Sequence, residues 1–260
     1  MSTRQSSYPI ACPRCGREFD ATLYDVVDAS DTPEAREELL SRRLNRVACP
    51  SGECGAAFAV DKPLVYRDPA RGIFLHYEPV TERRGFDAIV KDFSAATARL
   101  AELIPGDVVA PTLHLVTNAS EMMERIFVLE SGLDPRIVEQ IKYMMYKANP
   151  EDLPAREKLL LFDPAGAAEA PAGDAVEEAP VADLRFIVQD VKTGKLERVL
   201  GFARENYDAL ASVYAGDMAE VLEEWFPGPC INGRLRFLQD EANGELDGDD
   251  GFDDEGMRLE

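Results

Sequence analysis

Residues 10–19 read Ile-Ala-Cys-Pro-Arg-Cys-Gly-Arg-Glu-Phe, and residues 47–58 answer them with Val-Ala-Cys-Pro-Ser-Gly-Glu-Cys-Gly-Ala-Ala-Phe. Each copy has an apolar residue, Ala, Cys-Pro, a second Cys followed by Gly, and Phe four places after that second Cys. Such a knuckle turns two sulfurs toward one ion while backbone N–H groups point at them. Gly after the second Cys permits the tight turn, and Pro after the first fixes φ. Cys12, Cys15, Cys49 and Cys54 are therefore the candidate metal ligands. Four thiolates predict one closed, tetrahedral, structural Zn²⁺ site with no open position for water. The spacing favours this over four reduced, buried thiols. It also favours it over a redox role for Cys12 and Cys15, since Pro-Arg between them lacks a thioredoxin-like βαβ setting. The second pair is wider, C-x4-C against C-x2-C, so Ser51-Gly52 or Gly52-Glu53 is expected to bulge out. The two Phe residues are expected on strands leaving the knuckles, packed beside the site.

Outward from the knuckles the pattern mixes strands and helices. Thr32-Pro33-Glu34 opens a helix with Leu39, Leu40 and Leu44 as its apolar face and Thr32 as its cap. Leu64–Tyr66 and Ile73–Tyr77 flank the turn residues 68–72 and read as a β-hairpin. Phe86, Ile89, Val90, Phe93, Leu100 and Leu103 recur at helical spacing, stopped by Pro105-Gly106. Thr112–Thr117 is a short strand. Asn118 with Glu121 resembles a capping box for a helix that ends at Gly132, and Asp134-Pro135 starts the next one. Strands over 184–189 and 196–203, helices near 205–214 and 218–225, and a last strand over 230–238 follow. The predicted class is α+β: a zinc-ribbon-like double knuckle with β-hairpins joined to a mixed body. The expected organisation is a domain over 8–163 (zinc ribbon about 8–80, helical part 86–148), a linker over 164–182, an α+β region over 183–240 and a tail over 241–260.

The chain has 49 acidic and 28 basic residues in 260, a formal charge of −21. That balance argues against coating nucleic acid or an anionic membrane. The charge is unevenly placed, however. Residues 164–182 hold four acids and no base, and 241–260 hold nine acids and one base. The first is 13 parts in 19 Ala, Pro or Gly, the composition of a flexible linker; the second alternates Gly with Asp and reads as a disordered acidic tail. Residues 1–84, with 12 bases and 13 acids, are close to neutral. Five cysteines, an odd number, disfavour a disulfide framework, and Met1–Pro9 lacks the apolar region of a secretory signal. The expected location is cytoplasmic, without a membrane span.

The paired Cys-Pro motifs resemble the CpXC-domain family, a prokaryotic group named for them. Leu44-Asn45, Tyr66-Arg67-Asp68-Pro69 and Ile126–Lys142 (IFVLESGLDPRIVEQIK) are also similar to that family's pattern. The likeness covers roughly residues 8–147. It implies a zinc-binding module with no assigned activity, and it carries over only Cys12, Cys15, Cys49 and Cys54. The C-x4-C pair departs from the family's spacing.

No catalytic constellation is legible, so the reading disfavours an enzyme and identifies no catalytic residue and no small-molecule substrate. His76 and His114 fall in strands and read as packed or surface residues. No nucleophile elbow, P-loop or dinucleotide fingerprint occurs. Cys230 reads as a buried free thiol and Met122, Met123, Met144 and Met145 as core. The acidic tail from Asn243 fails the calcium-loop pattern at its first and twelfth positions. The expected function is a non-catalytic structural or protein-interaction module, with a protein partner or a second copy as its binding partner. One alternative is a nucleic-acid-associated regulator using Arg36, Arg42, Arg43 and Arg46, although Glu34, Glu37 and Glu38 alternate with them. The other is an enzyme with dispersed acids such as Asp68, Glu78 and Asp134.

Overall fold

The computed structural model describes residues 2–103, 112–167, 183–216 and 218–246. By its contacts the chain divides into two compact units, Met1–Met123 and Glu124–Glu260. Both are mixtures of strands and helices, so the α+β expectation stands.

In the first unit, β1 (Arg4–Ala11) and β2 (Glu18–Asp28) pair antiparallel across the first knuckle. Next come α1 (Pro33–Leu40), the short antiparallel pair β3 (Arg46–Ala48) and β4 (Ala57–Ala59), and the hairpin β5 (Leu64–Asp68) and β6 (Ile73–Tyr77). After α2 (Phe86–Leu103) and β7 (Leu113–Val116) the five-stranded sheet is complete in the order β1-β2-β5-β6-β7. β2 runs parallel to β5, and β6 parallel to β7. Parallel neighbours need crossovers; α1 with the second knuckle supplies one and α2 the other. On β5 and β6 alternate residues are buried, with Tyr66 and Leu75 fully inside. The hairpin turn is held by Asp68, which accepts from the N–H groups of Ala70 and Arg71, and Gly72 takes the left-handed conformation at φ 67. Thr32 does not cap α1 with its side chain: Pro33 starts the helix, and the Thr32 carbonyl accepts from Ala35.

The second unit begins within α3 (Ala119–Glu130) and continues with α4 (Pro135–Ala148). Asn118 accepts from Ser120 at the start of α3, and Asp134 accepts from Arg136 at the start of α4. The antiparallel sheet β10-β9-β8 is built from β8 (Lys158–Asp163), β9 (Leu184–Asp190) and β10 (Leu196–Phe202). Helices α5 (Arg204–Ala215), α6 (Ala219–Trp225) and α7 (Gly233–Asn243) follow. The core is formed by Ile141, Met145 and Tyr146 of α4 with Leu160, Phe186 and Phe237. Tyr146 Oη donates to the Lys158 carbonyl and accepts from Leu160 N–H, fastening helix to sheet.

Several expectations need correction here. Residues 230–238 are not a strand: Asn232 caps α7 by accepting from Leu235 N–H, and Gly244 closes it in the left-handed region at φ 73. The helix takes in residues 241–243, the start of the expected tail; residues 247–260 lie outside the described residues. β8 was not expected. The segment after it opens with a 3-10 turn, Pro164–Ala167, and the rest of the expected linker, 168–182, also lies outside them, as does the Pro105-Gly106 stop. The contact boundary at 123/124 lies within α3. Cys230 is half-buried and Met144 only partly buried, whereas Met122, Met123 and Met145 are core. Among the described residues no helix is long and apolar enough to cross a membrane.

Candidate metal centre

Each knuckle is a hydrogen-bonded turn that the strands deliver. In the first, Cys12 N–H donates to the Arg17 carbonyl (2.9 Å) and Gly16 N–H to the Cys12 carbonyl (2.9 Å), with Gly16 at φ 72. In the second, Cys49 N–H donates to Ala56 (2.8 Å), while Gly55 N–H donates to Ser51 (3.2 Å), with Gly55 at φ 56. The turn that starts at Cys12 in one copy thus starts at Ser51 in the other. The two extra residues of the C-x4-C pair are then Pro50 and Ser51, one step before Ser51-Gly52 and two before Gly52-Glu53, the pairs expected to bulge. The Arg14 guanidinium donates to the Cys54 carbonyl at 3.1 Å, linking the copies. Phe19 and Phe58 meet edge to face, with ring centroids 6.5 Å apart, as the repeat implied.

These turns bring the four cysteines together: their Sγ atoms all lie within 4.8 Å of one another. Cys12 is 3.8 Å from Cys54, and Cys15 is 3.7 Å from Cys49, so each close contact joins one knuckle to the other. Sulfurs at ~2.3 Å from a common centre form a tetrahedron with edges of about 3.8 Å. The two cross-knuckle contacts fit that figure, and the donor set is all sulfur. Cys12 and Cys49 are buried, Cys54 is half-buried and Cys15 exposed.

The clustered thiols do not ionise alike. Backbone hydrogen bonds from Cys15 and Arg14 overcome burial and lower the Cys12 thiol to about 7. Cys49 receives a stabilising Ser51 backbone bond, yet burial and the Cys15, Cys12 and Cys54 sulfurs push it up to about 11. At Cys54 the Ala56 backbone bond pulls down, and burial with Cys15 and Cys12 prevails upward. Four sulfurs this close cannot all ionise unless positive charge sits among them.

A family model for "CpXC protein" matches residues 10–142, just over half of the chain. The chain belongs to the CpXC family. No curated protein and no solved structure matches it. The CpXC match starts at the first knuckle and ends in α4, so it takes in all four cysteines and the hairpin with Tyr66-Arg67-Asp68-Pro69.

The other sequence candidates are placed as structural groups. His76 lies 3.2 Å from Glu78 through Nε2 and packs on Phe93, and His114 is a buried residue of β7. Asp68 holds its turn, Glu78 pairs with Arg84 at 2.7 Å, and Asp134 caps α4. Arg42 donates to Ser120, and Arg43 to Ser41. Sequence reasoning missed a buried charge network in the second unit. Lys142 Nζ lies 2.9 Å from both Glu124 and Glu139, and Arg125 lies 3.0 Å from Glu139. Its only advance signal was Glu139 and Lys142 one turn apart on α4 beside Val138 and Ile141.

Proposed function

We propose that the CpXC module of this chain is a zinc-binding, non-catalytic structural or protein-interaction module. In this reading one Zn²⁺ is held by Cys12, Cys15, Cys49 and Cys54, with a protein partner or a second copy as the binding partner. The observation that carries the metal reading is the pair of cross-knuckle sulfur contacts at 3.7 and 3.8 Å. A four-thiolate site has no open position, so the ion contributes connection and not Lewis-acid chemistry. What it connects are two turns far apart in sequence, one between β1 and β2 and one between β3 and β4. Zinc suits an all-sulfur tetrahedral set better than hard cations, which select oxygen. Elemental analysis of the purified full chain is expected to find one zinc per chain. Cys12→Ser and Cys49→Ser are each expected to lose it; unchanged metal content in both variants would sink the reading.

A further inference from the structure

A cavity of about 250 Å³ opens in the first unit between the end of α1, the segment joining β4 to β5, and the start of α3. Leu39, Leu44, Leu64, Met122 and Met123 give it apolar walls, and the two thioethers can adapt to an occupant's shape. Its volume lies just below the roughly 300–1,000 Å³ of drug-sized sites, which points to a small metabolite. The backbone singles out the same place. Among the described residues only Arg42 (φ 57) and Asn45 (φ 55) take the left-handed conformation without being glycine, and both line this cavity. For Asn45 the reason is local: Oδ1 accepts from Tyr24 N–H at 2.7 Å, and Nδ2 donates to the Tyr24 carbonyl at 3.2 Å. Arg42 follows the end of α1, where glycine is the residue that fits. It is exposed, and among the described residues its guanidinium is tied only to Ser120 Oγ, at 3.3 Å. That bond gives no reason for an arginine at a glycine position, and strained residues of this kind gather at binding sites.

The charges on the wall are Arg42, Asp61 and Lys62. Lys62 Nζ is matched by Asp25 at 2.7 Å. Asp61 Oδ1 accepts from Tyr77 Oη, and among the described residues no cation pairs with the carboxylate. One cation and one carboxylate are thus left beside an apolar space. We propose that this cavity binds a free α-amino acid with an aliphatic or thioether side chain. The ligand carboxylate accepts from the Arg42 guanidinium and the Ser120 hydroxyl, its ammonium pairs with Asp61, and its side chain lies against the leucines and methionines. The site uses no cysteine, so it stands or falls separately from the metal reading.

Calorimetric titration of the full chain with L-leucine is expected to show saturable binding with a dissociation constant of about 0.1 mM, in keeping with a ligand of so few atoms. Glycine lacks the side chain, N-acetyl-L-leucine the ammonium and L-leucinamide the carboxylate, and each is expected to bind about tenfold more weakly or worse. Arg42→Gly removes the guanidinium and supplies the residue that the backbone prefers. Its melting temperature is expected to stay equal or rise, while leucine affinity falls about tenfold. Asp61→Asn keeps an acceptor for Tyr77 and is expected to weaken leucine about fivefold. Wild-type affinity in either variant would overturn the proposal. So would N-acetyl-L-leucine, L-leucinamide or glycine binding as tightly as leucine, since one part of the wall would then do nothing. A titration of the wild-type chain without saturation would overturn it as well.

Discussion

At the scale of single residues, two positions show how little room the fold leaves. A Cβ on Gly233 would sit 2.0 Å from the Glu139 carbonyl oxygen and 3.2 Å from Tyr143 N, both backbone atoms of α4. Neither can yield as a flexible side chain would, so Gly233→Ala must push α7 off α4. The expected loss is about 3 kcal/mol, at the upper end for overpacking. Gly244→Ala supplies the contrast: it has open space and a φ of 73, and about 1 kcal/mol is expected for the left-handed cap. Denaturant melts of the two variants check the order, and equal losses would refute the close-approach argument. Asp25 makes a pH prediction. Burial would raise its carboxyl, but hydrogen bonds from Lys62, Ser6 and Tyr8 outweigh that and hold it at about 2, below its ordinary 3.8. A depressed carboxylate stabilises the fold above its unfolded value, and that contribution fades as pH falls from 3.8 toward 2. Asp25→Asn is expected to lose on the order of 1 kcal/mol at pH 7, with solvent screening allowed for, and to flatten stability across that acid window. An unchanged acid limb in the melting curves would count against it.

At the scale of elements, α3 and α4 are joined by the charges they bury. Glu124 and Glu139 face Arg125 and Lys142, and the leftover lone pairs accept from Phe162 N–H (2.6 Å) and Gly233 N–H (2.8 Å). Burial raises the Glu124 carboxyl to about 7 despite the Lys142 ammonium. Lys142→Met removes the ammonium and should cost about 3 kcal/mol at pH 8. The sign follows from the raised carboxyl: a protonated Glu124 is tolerated at pH 5, whereas its ionised form is penalised as pH rises, so the variant weakens with pH. Adding Glu124→Gln keeps an acceptor for Phe162 and should remove that slope; a slope persisting in the double variant would place its origin elsewhere. This network was easily overlooked in the sequence because one Lys and one Glu on a helix read as surface. The same reasoning explains α7. Its buried positions Gly233, Phe237 and Asp240 are helically spaced, but only Phe237 is apolar, while Leu235 and Phe237 between arginines imitate a strand. β8 is buried at four successive residues, Leu159–Phe162, so it has no alternation to detect. Where local chemistry decides, as in the Asp68 turn, the Asp134-Pro135 start and the two knuckles, the sequence was readable. The parallel pairings of β2 with β5 and β6 with β7 depend on partners distant in the chain, and no local pattern encodes them.

At the scale of the molecule, the two compact units and the single cysteine cluster predict where metal removal is felt. All four sulfurs lie in the first unit, in turns that begin at Cys12 and end at Gly55. A link between Cys12 and Cys54 closes a loop of about 40 residues, and in the chain-entropy picture such a closure is worth on the order of 4 kcal/mol. The second unit has its own core around Tyr146 and Phe186 and contributes no cysteine to the cluster. Hydrogen exchange on the full chain, metal-loaded and chelated, should therefore show lost protection over residues 10–60, with the hydrogen bonds at Cys12, Gly16, Cys49 and Gly55 opening first. Amides of β8 and β9 should keep theirs, since their ladder partners are each other. Equal deprotection of β8 and β9 would mean that the units fold as one cooperative body. Unaltered exchange in the knuckles would mean that the close sulfurs are held by the turns alone and that the ion adds nothing to the fold.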